Sequence, residues 1–303
     1  MKLSLNIFLG LSTLLLSACN MTESFGVDDA EMVAATRVLE YTPAPGQFIN
    51  NPMTGGFLGT ELTPQAACDY AQRRLEGRNF VSLGGFGGYI VLGFDAPIVN
   101  SGGDYDLAIA GNPFEGSSEP GIVWVMMDEN ANGKADDVWY ELAGSEYAEQ
   151  GVLRNYSVTY HRSSQPKQPI VWEDSLGERG EITHLAAHPH DSYYPAWIEA
   201  DSYTLYGSRL KPRTQFNGSI WVQLGFDWGY VDNENETDLV RGEGLYAGLE
   251  FNRFRLGDAV TSRGKSIDLP YINFVKIQTA LNSQSGGLGE NSTEVFAVCG
   301  YRR

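Results

Sequence analysis

The chain has 303 residues, of which 38 are acidic and 21 are basic, so its formal net charge at pH 7 is −17. Nucleic acids and anionic lipid surfaces are bound through clusters of Lys and Arg, so we expect no nucleic-acid partner. Aromatic residues make up 12% of the chain, and it contains 35 glycines. This composition, with few long helix-periodic stretches, predicts an all-β protein with many turns.

The N-terminal residues predict export. Lys2 is the only charge before an apolar run over 7–16, and the sequence LSAC (16–19) follows. The run is too short for a permanent membrane span, and small residues before a cleavage point mark a signal peptide, here 1–18. LSAC resembles the lipobox of bacterial lipoproteins, in which the cysteine, here Cys19, becomes the lipidated first residue. An ordinary signal peptide with a chance cysteine is the alternative.

The residues after the lipobox indicate where the protein resides. Asn20 rather than Asp follows the cysteine, so the usual signal for inner-membrane retention is missing and we expect a lipid-anchored, surface-exposed outer-membrane protein. No later stretch is apolar enough to cross a bilayer, so the lipid is the only expected membrane contact. Residues 19–45 are polar, acidic and aperiodic, which predicts a flexible tether ahead of one domain at 46–303.

One segment has the pattern of a helix, and eight have the pattern of strands. In TPQAACDYAQRRLEG (63–77), Thr63 can cap the helix, Pro64 suits its first position and Gly77 follows its end. Period-two segments, separated by Gly, Pro, Asn and Asp clusters, cover 89–95, 106–111, 121–128, 155–162, 201–207, 219–228, 272–280 and 294–301. With no internal repeat, they predict an all-β, jelly-roll-like sandwich with long loops and one short N-terminal helix.

The remaining cysteines form a candidate pair. With Cys19 assigned to the lipid, Cys68 and Cys299 are left in an oxidising compartment. This predicts a disulfide between the helix and the last strand. Two separate buried thiols are the alternative, because spacing alone does not fix the geometry of the bond.

A calcium site is predicted in MDENANGKADDVWYELAG (127–144). Oxygen ligands alternate there around the turn residue Gly133, which suits a hard cation such as Ca²⁺. The expected ligands are Asp128, Asn130, Asn132, Lys134 through its backbone carbonyl, Asp136 and Asp137. The first half matches an EF-hand loop, but position twelve is Trp139 and the flanks read as strands. We therefore expect a structural ion without a conformational switch, and an ion-free turn is the alternative.

A second acidic loop covers 226–238. It contains Asp227, Asp232, Asn233, Asn235 and Asp238. No turn glycine lies within the acidic run, so we interpret the segment as a solvated loop rather than a second ion site.

No motif in the sequence assigns a catalytic residue. Three of the four histidines lie in 183–201, but the pair His190-Asp191 has no identifiable nucleophile beside it. Carboxylate pairs for glycoside hydrolysis require a separation that a sequence does not reveal. The chain is therefore predicted not to be an enzyme, with a glycoside hydrolase or an adhesin as alternatives.

The loop aromatics are the candidate ligand site. Flat rings beside polar groups suit stacking on a sugar face or on a large planar ligand, although such rings also fill protein cores. The residues predicted to bind ligand are Tyr193, Tyr194, Trp197, Trp221, Trp228 and Tyr230.

Four long motifs suggest a family. VSLGGFGGYIVLGFDAPIVN, SSEPGIVWVMMDENANGKADDVWYELAGSEY, WVQLGFDWGYVDN and GLGENSTEVFAV resemble a family of lipid-anchored "cell surface proteins" of Bacteroidetes over most of 40–300. The resemblance implies an extracellular β-sandwich lipoprotein that accompanies a TonB-dependent transporter, in some cases for corrinoid (vitamin B12, cobalamin) uptake. It implies no binding residues.

Together these observations predict a non-catalytic lipoprotein that captures a nutrient outside the cell. A corrinoid is the sharper expectation for the ligand, and a glycan is the conventional alternative.

Overall fold

The computed structural model describes residues 31–303. The predicted signal peptide, the lipidation site Cys19 and the first part of the tether lie outside the described residues. The strands are β1 (Glu31–Ala34), β2 (Arg37–Thr42), β3 (Val81–Ser82), β4 (Tyr89–Val99), β5 (Leu107–Gly111), β6 (Gly121–Met126), β7 (Tyr140–Leu142), β8 (Leu153–His161), β9 (Ile170–Asp174), β10 (Arg179–Ile182), β11 (Ser202–Arg209), β12 (Thr214–Phe216), β13 (Trp221–Gln223), β14 (Leu239–Arg241), β15 (Glu250–Phe254), β16 (Ala259–Val260), β17 (Tyr271–Thr279), β18 (Glu294–Val295) and β19 (Ala297–Arg302).

The described residues contain one α-helix, α1 (Pro64–Glu76), and three 3₁₀ turns at Gly244–Tyr246, Leu256–Asp258 and Gly286–Leu288. Thr63 caps α1, because its Oγ1 accepts a hydrogen bond from the Ala66 N–H at 3.2 Å, and Gly77 follows the last turn. The helix predicted from the sequence is confirmed. Between residues 31 and 303, no helix is both long and apolar enough to cross a membrane.

Two antiparallel sheets form the body of the protein. One has the strand order β1-β19-β5-β15-β14, and the other has the order β16-β7-β6-β17-β4-β2. Their facing sides and α1 bury one apolar cluster, which includes Ile90, Leu92, Val123, Val125, Val275, Ile277, Leu107, Ile109, Val298 and Ala71. Because side chains alternate along a strand, each sheet presents a second face away from this core. The all-β, sandwich-like fold predicted from the sequence is confirmed.

A third antiparallel sheet packs at one side of the sandwich. Its strand order is β10-β9-β8-β11, and β8 pairs with β11 from Ser202 opposite His161 to Arg209 opposite Leu153. It has its own apolar cluster, which includes Phe86, Tyr156, Val158, Tyr160, Tyr193 and Leu205. This sheet places β11 beside the outer face of the six-stranded sheet, where both line one cavity.

Two sequence predictions differ from the fold. The expected tether extends too far, because β1 pairs with β19 and β2 pairs with β4, so the domain includes residues from Glu31 onward rather than from 46. The predicted strand at 219–228 is reduced to the three residues of β13. Pairing with β19 and β4 accounts for the first difference, since strand pairing overrides local composition. In the second, only Trp221–Gln223 pair, with β12.

The predicted disulfide is wrong, because Cys68 and Cys299 are both free and buried. Cys68 packs in the main core, whereas Cys299 points to the opposite face of the five-stranded sheet, where its Sγ lies 3.5 Å from the Tyr246 hydroxyl. Val298, the neighbour of Cys299, packs into the main core instead. The strand alternation therefore directs the two thiols away from each other.

Thiol titration tests this correction. When the segment 20–303 is unfolded without reductant, two thiols per chain should react. In the folded protein both thiols should react slowly, because burial raises their pKa values, that of Cys299 to about 11. Recovery of no thiols from the unfolded, non-reduced chain would show that the bond forms.

Candidate functional site

The outer face of the six-stranded sheet carries a row of residues that differ in kind from those of the core. Strand registry places Glu141 opposite Trp124, Trp124 opposite Lys276, Lys276 opposite Val91 and Val91 opposite Glu40. The residues next to them along the strands, such as Val275 and Ile277, face the core. Period-two alternation thus places this row, named here the β-face row, on the side of the sheet away from the main core.

A cleft of about 810 Å³ lies over the β-face row. Strands β2, β4 and β17 form its floor, β11 forms one wall, and the end of the loop after β6 forms part of its rim. Its lining includes Glu40, Thr42, Tyr89, Val91, Lys134, Asp136, Trp139, Thr204, Tyr206, Lys276 and Gln278. Its volume falls within the range of roughly 300–1,000 Å³ that is common for small-molecule sites.

Lys276 lies among aromatic rings on the cleft floor. Its Nζ is 4.7 Å from the ring centroid of Trp124, 5.4 Å from that of Trp139 and 5.7 Å from that of Tyr89. Among residues 31–303, the ion pairs within 4.0 Å do not include Lys276. Burial lowers the pKa of Lys276 to about 8, and the charges of Glu40 and Glu141 only partly oppose that shift. The ammonium group therefore has three cation–π contacts and two nearby acids, but no direct ion pair.

The two acids of the row are held by hydroxyl donors. The Tyr89 hydroxyl donates to Glu40 Oε1, and the Ser208 hydroxyl donates to Glu141 Oε2 at 2.7 Å. Burial raises the pKa of Glu141 to about 7, and the Ser208 hydrogen bond partly opposes this shift. Burial and the contact with Glu40 raise the pKa of Tyr89, so the phenol remains a donor at neutral pH.

Two polar atoms beside Lys276 lack a partner. Trp124 Nε1 and Gln278 Oε1 are buried, and neither makes a hydrogen bond within the described chain. The other end of the Gln278 amide is fixed, because Nε2 donates to the carbonyl oxygens of Gly87 at 2.9 Å and Tyr206 at 2.8 Å. An unpaired buried polar group is costly, so the fold leaves two polar atoms unsatisfied beside the cleft floor.

The loop predicted to bind calcium is a compact turn on the cleft rim. Asp128 caps it, since Oδ1 accepts from the Asn132 N–H at 3.0 Å and Oδ2 accepts from the Gly133 N–H at 2.8 Å. Gly133 adopts a φ of 73°, the left-handed region that favours glycine. The Lys134 N–H donates to Asn132 Oδ1 at 2.8 Å, which tightens the same turn.

The structure brings the predicted side-chain ligands of this loop together. The amide Nδ2 of Asn130 lies 3.4 Å from Asp136 Oδ1 and 3.2 Å from Asp137 Oδ1, and that of Asn132 lies 3.2 Å from both Asp136 oxygens. The amide nitrogens thus lie where a cation would contact the same carboxylates. The donor set of carboxylate and amide oxygens fits a hard cation.

The aromatic residues predicted to bind ligand do not form one site. Tyr193, Tyr194, Trp197 and Tyr230 are core residues, each 4% exposed or less, and Trp221 and Trp228 lie on separate surfaces away from the cleft. Trp197 Nε1 donates to the Tyr41 carbonyl, and the Tyr193 hydroxyl donates to the His188 carbonyl at 3.0 Å. Their polar tips are satisfied by backbone, so these rings pack rather than bind.

The prediction for the second acidic loop, at 226–238, is wrong. It is not a solvated loop, because Asp232, Asn233 and Asp238 are each 1% exposed or less. The Asn252 amide donates to the Asn233 carbonyl at 2.8 Å and to Asp238 Oδ1 at 3.0 Å, which turns the loop inward. Local composition did not reveal this burial, since Asn252 is distant in sequence.

The residues of the cleft were not predicted from the sequence. Lys276 is a charged residue within the otherwise apolar centre of INFVKIQTA. Trp124 is the one aromatic residue of GIVWVMMD. A charged residue in the middle of a strand bounded by apolar residues was the available signal. The pairing of these two strands, which the sequence did not predict, brings the two residues together.

The chain matches no known family model, and no curated protein matches it.

Acylation rates test the environment of Lys276. Because its pKa is lowered to about 8, the rate at which an amine-reactive reagent modifies Lys276 should level off above pH 8, as peptide mass spectrometry would show. The rate of modification of free Nα-acetyl-lysine in the same reaction should keep rising above pH 8, since the pKa of an ordinary lysine is about 10.4. Identical pH profiles for the two amines would contradict the proposed environment.

Proposed function

We propose that this chain is a non-catalytic surface lipoprotein that captures a nutrient ligand in the cleft for TonB-dependent uptake across the outer membrane. One observation carries the proposal. A lysine without an ion pair, surrounded by three aromatic rings, lies on the floor of an open cleft of about 810 Å³. A largely buried ammonium group without a direct ion pair costs stability, which a ligand acceptor would offset.

The ligand proposed is a corrinoid. Its flat macrocycle can lie against ring faces, and its amide arms offer both acceptors and donors. Trp139 and the exposed Tyr206 would supply the ring faces, and Lys276 would supply the donor. The resemblance of the four sequence motifs to Bacteroidetes cell surface lipoproteins supports the same ligand.

A glycan is the second candidate. Sugar rings stack on aromatic faces and need hydrogen-bonding groups beside them, and the cleft places Thr204 next to Tyr206 with Gln278 nearby. Both ligands would use the same wall of the cleft, so a single set of variants tests them.

The geometry of the row favours binding over glycoside hydrolysis. Glu141 and Glu40 are four strand spacings apart, which is roughly 19 Å at about 4.8 Å per spacing. Paired glycosidase carboxylates are about 5–9.5 Å apart. The two acids of the row are therefore too distant to act as such a pair.

We propose that Ca²⁺ binds the loop at 128–137 and holds the cleft rim. Its ligands would be oxygens of Asp128, Asn130, Asn132, Asp136 and Asp137, with the Lys134 carbonyl as predicted from the spacing. The support is the convergence of these side chains on one turn that also lines the cleft through Asp136. The ion would then fix the position of the neighbouring Trp139.

Equilibrium binding tests the cleft. We expect the segment 20–303 to bind cobalamin or, in its place, one member of a glycan panel. Tyr206→Ala should weaken that binding by up to about tenfold, which is the loss expected for one stacked ring. Tyr206 is 66% exposed, so its truncation should not disturb the fold.

The control is Phe216→Ala, which removes a similarly exposed ring outside the cleft and should leave affinity unchanged. Failure of the wild-type protein to bind either ligand class at micromolar concentration would contradict the proposed function. Release of reducing sugar from a glycan would establish an enzyme instead.

Melting temperatures test the calcium loop. Ligands that bind only the native state stabilise it, so the melting temperature in calcium should exceed that in chelator by about 5 °C for occupancy well above the dissociation constant. The difference should shrink in the double variant Asp136→Asn/Asp137→Asn and persist in the control Glu236→Gln, an exposed acid outside the loop. An equal difference in the wild type and the double variant would exclude the loop as the site.

A further inference from the structure

Three acidic side chains from distant parts of the sequence meet beneath the loop at 226–238. Glu119 precedes β6, Asp232 lies in that loop and Glu294 begins β18. One carboxylate oxygen from each lies within 4.8 Å of the other two. This set, named here the acidic triad, lies outside the cleft lining.

Backbone donors hold the acidic triad in place. Asp232 Oδ1 accepts from the Asn112 N–H and Oδ2 accepts from the Glu294 N–H, both at 2.9 Å, while Glu119 Oε1 accepts from the Ser292 N–H at 3.1 Å. Asp232 has a φ of 57°, a left-handed conformation that costs energy for an ordinary residue. The carboxylates are therefore preorganised by the fold.

The acidic triad has no compensating positive charge. Asp232 is 1% exposed, Glu294 is 4% exposed and Glu119 is partly buried. Across residues 31–303, no Lys, Arg or His forms an ion pair within 4.0 Å of any member. Three adjacent carboxylates in a medium of low dielectric constant repel one another strongly. Only a proton or a bound cation can relieve that repulsion.

One atom points specifically to a ligand. Glu294 Oε1 is buried and makes no hydrogen bond in the described chain, although the neighbouring oxygens of Asp232 and Glu119 each accept one from a backbone N–H. An unpaired buried carboxylate oxygen is among the costliest polar groups in a protein interior.

We propose that Glu119, Asp232 and Glu294 bind a divalent hard cation, with Ca²⁺ as the leading candidate. Carboxylate oxygens without nitrogen or sulfur ligands select hard ions such as Ca²⁺ over zinc or copper. The ion would join the segment before β6, the loop at 226–238 and the start of β18. This site is separate from the calcium loop on the cleft rim, and it does not depend on the ligand proposed for the cleft.

The ion would have a definite structural effect. The backbone already links these segments, since the Glu119 N–H donates to the Asp232 carbonyl at 2.9 Å and Gly121 bridges to Val231. A cation would convert the repulsion between the three acids into a shared attraction. Its removal should loosen the loop at 226–238 before the sheets separate, because the carboxylates can then move apart only by moving that loop.

Calorimetric titration tests the site in a background that lacks the other one. In 20–303 carrying Asp136→Asn/Asp137→Asn and freed of metal by chelation, we expect one Ca²⁺ to bind per chain. Adding Glu294→Gln should weaken that binding at least about tenfold, because charge count sets the affinity of such sites. Mg²⁺ and Mn²⁺ in parallel titrations identify which hard ion binds more tightly.

Glu294→Gln also gives a readout that does not depend on successful binding. It replaces an unpaired charge by a neutral amide of the same shape, so in chelator the variant should melt at a higher temperature than its parent. In calcium the order should reverse, because only the parent gains the ion. A parent protein that binds none of the three ions, or a Glu294→Gln variant that binds Ca²⁺ as tightly as its parent, would overturn the proposal.

Discussion

The antiparallel pairing of β17 between β4 and β6 is the constraint on which the cleft depends. It fixes Val275 and Ile277 in the core, and the alternation of the strand then places Lys276 on the opposite face. A slip of one residue would bury the lysine in the sandwich and expose the valine, so the hydrophobic effect sets the registry. The same registry brings Trp124 beside Lys276 and defines the floor of the cleft.

Among the described residues, charged groups without an ion pair lie in the cleft and in the acidic triad, and the buried Glu290 also has an unpaired oxygen. Lys276 lies among aromatic rings without an ion pair, and Glu294 lies among other carboxylates. Replacing such groups by apolar or neutral side chains often stabilises a protein. The presence of such groups in a fold with a large apolar core therefore favours a role in binding. Lys276 would bind a ligand in the cleft, and the acidic triad would bind a cation.

Local signals in the sequence were sufficient for the helix and for most of the long strands, but not for strands such as β2 and β15 or for how the strands pair. Thr63, Pro64 and Gly77 defined the helix because capping depends on neighbouring residues. The buried loop around Asp232 was missed, since its burial depends on contacts with Asn252 and Glu294 from distant strands. The aromatic residues of 193–197 were misassigned for the same reason, because composition does not distinguish a ring on a core face from one on a cleft.

The candidate calcium loop could be predicted because its carboxylate and amide residues lie close together in the sequence, whereas the cleft assembles residues from β2, β4, β11 and β17. The central claim is that this cleft binds the ligand. A crystal structure of 20–303 with bound cobalamin or oligosaccharide tests it most directly. Ligand density in contact with Lys276, Trp139 and Tyr206 is the predicted result. Density at another surface, with the cleft filled only by solvent, would contradict it.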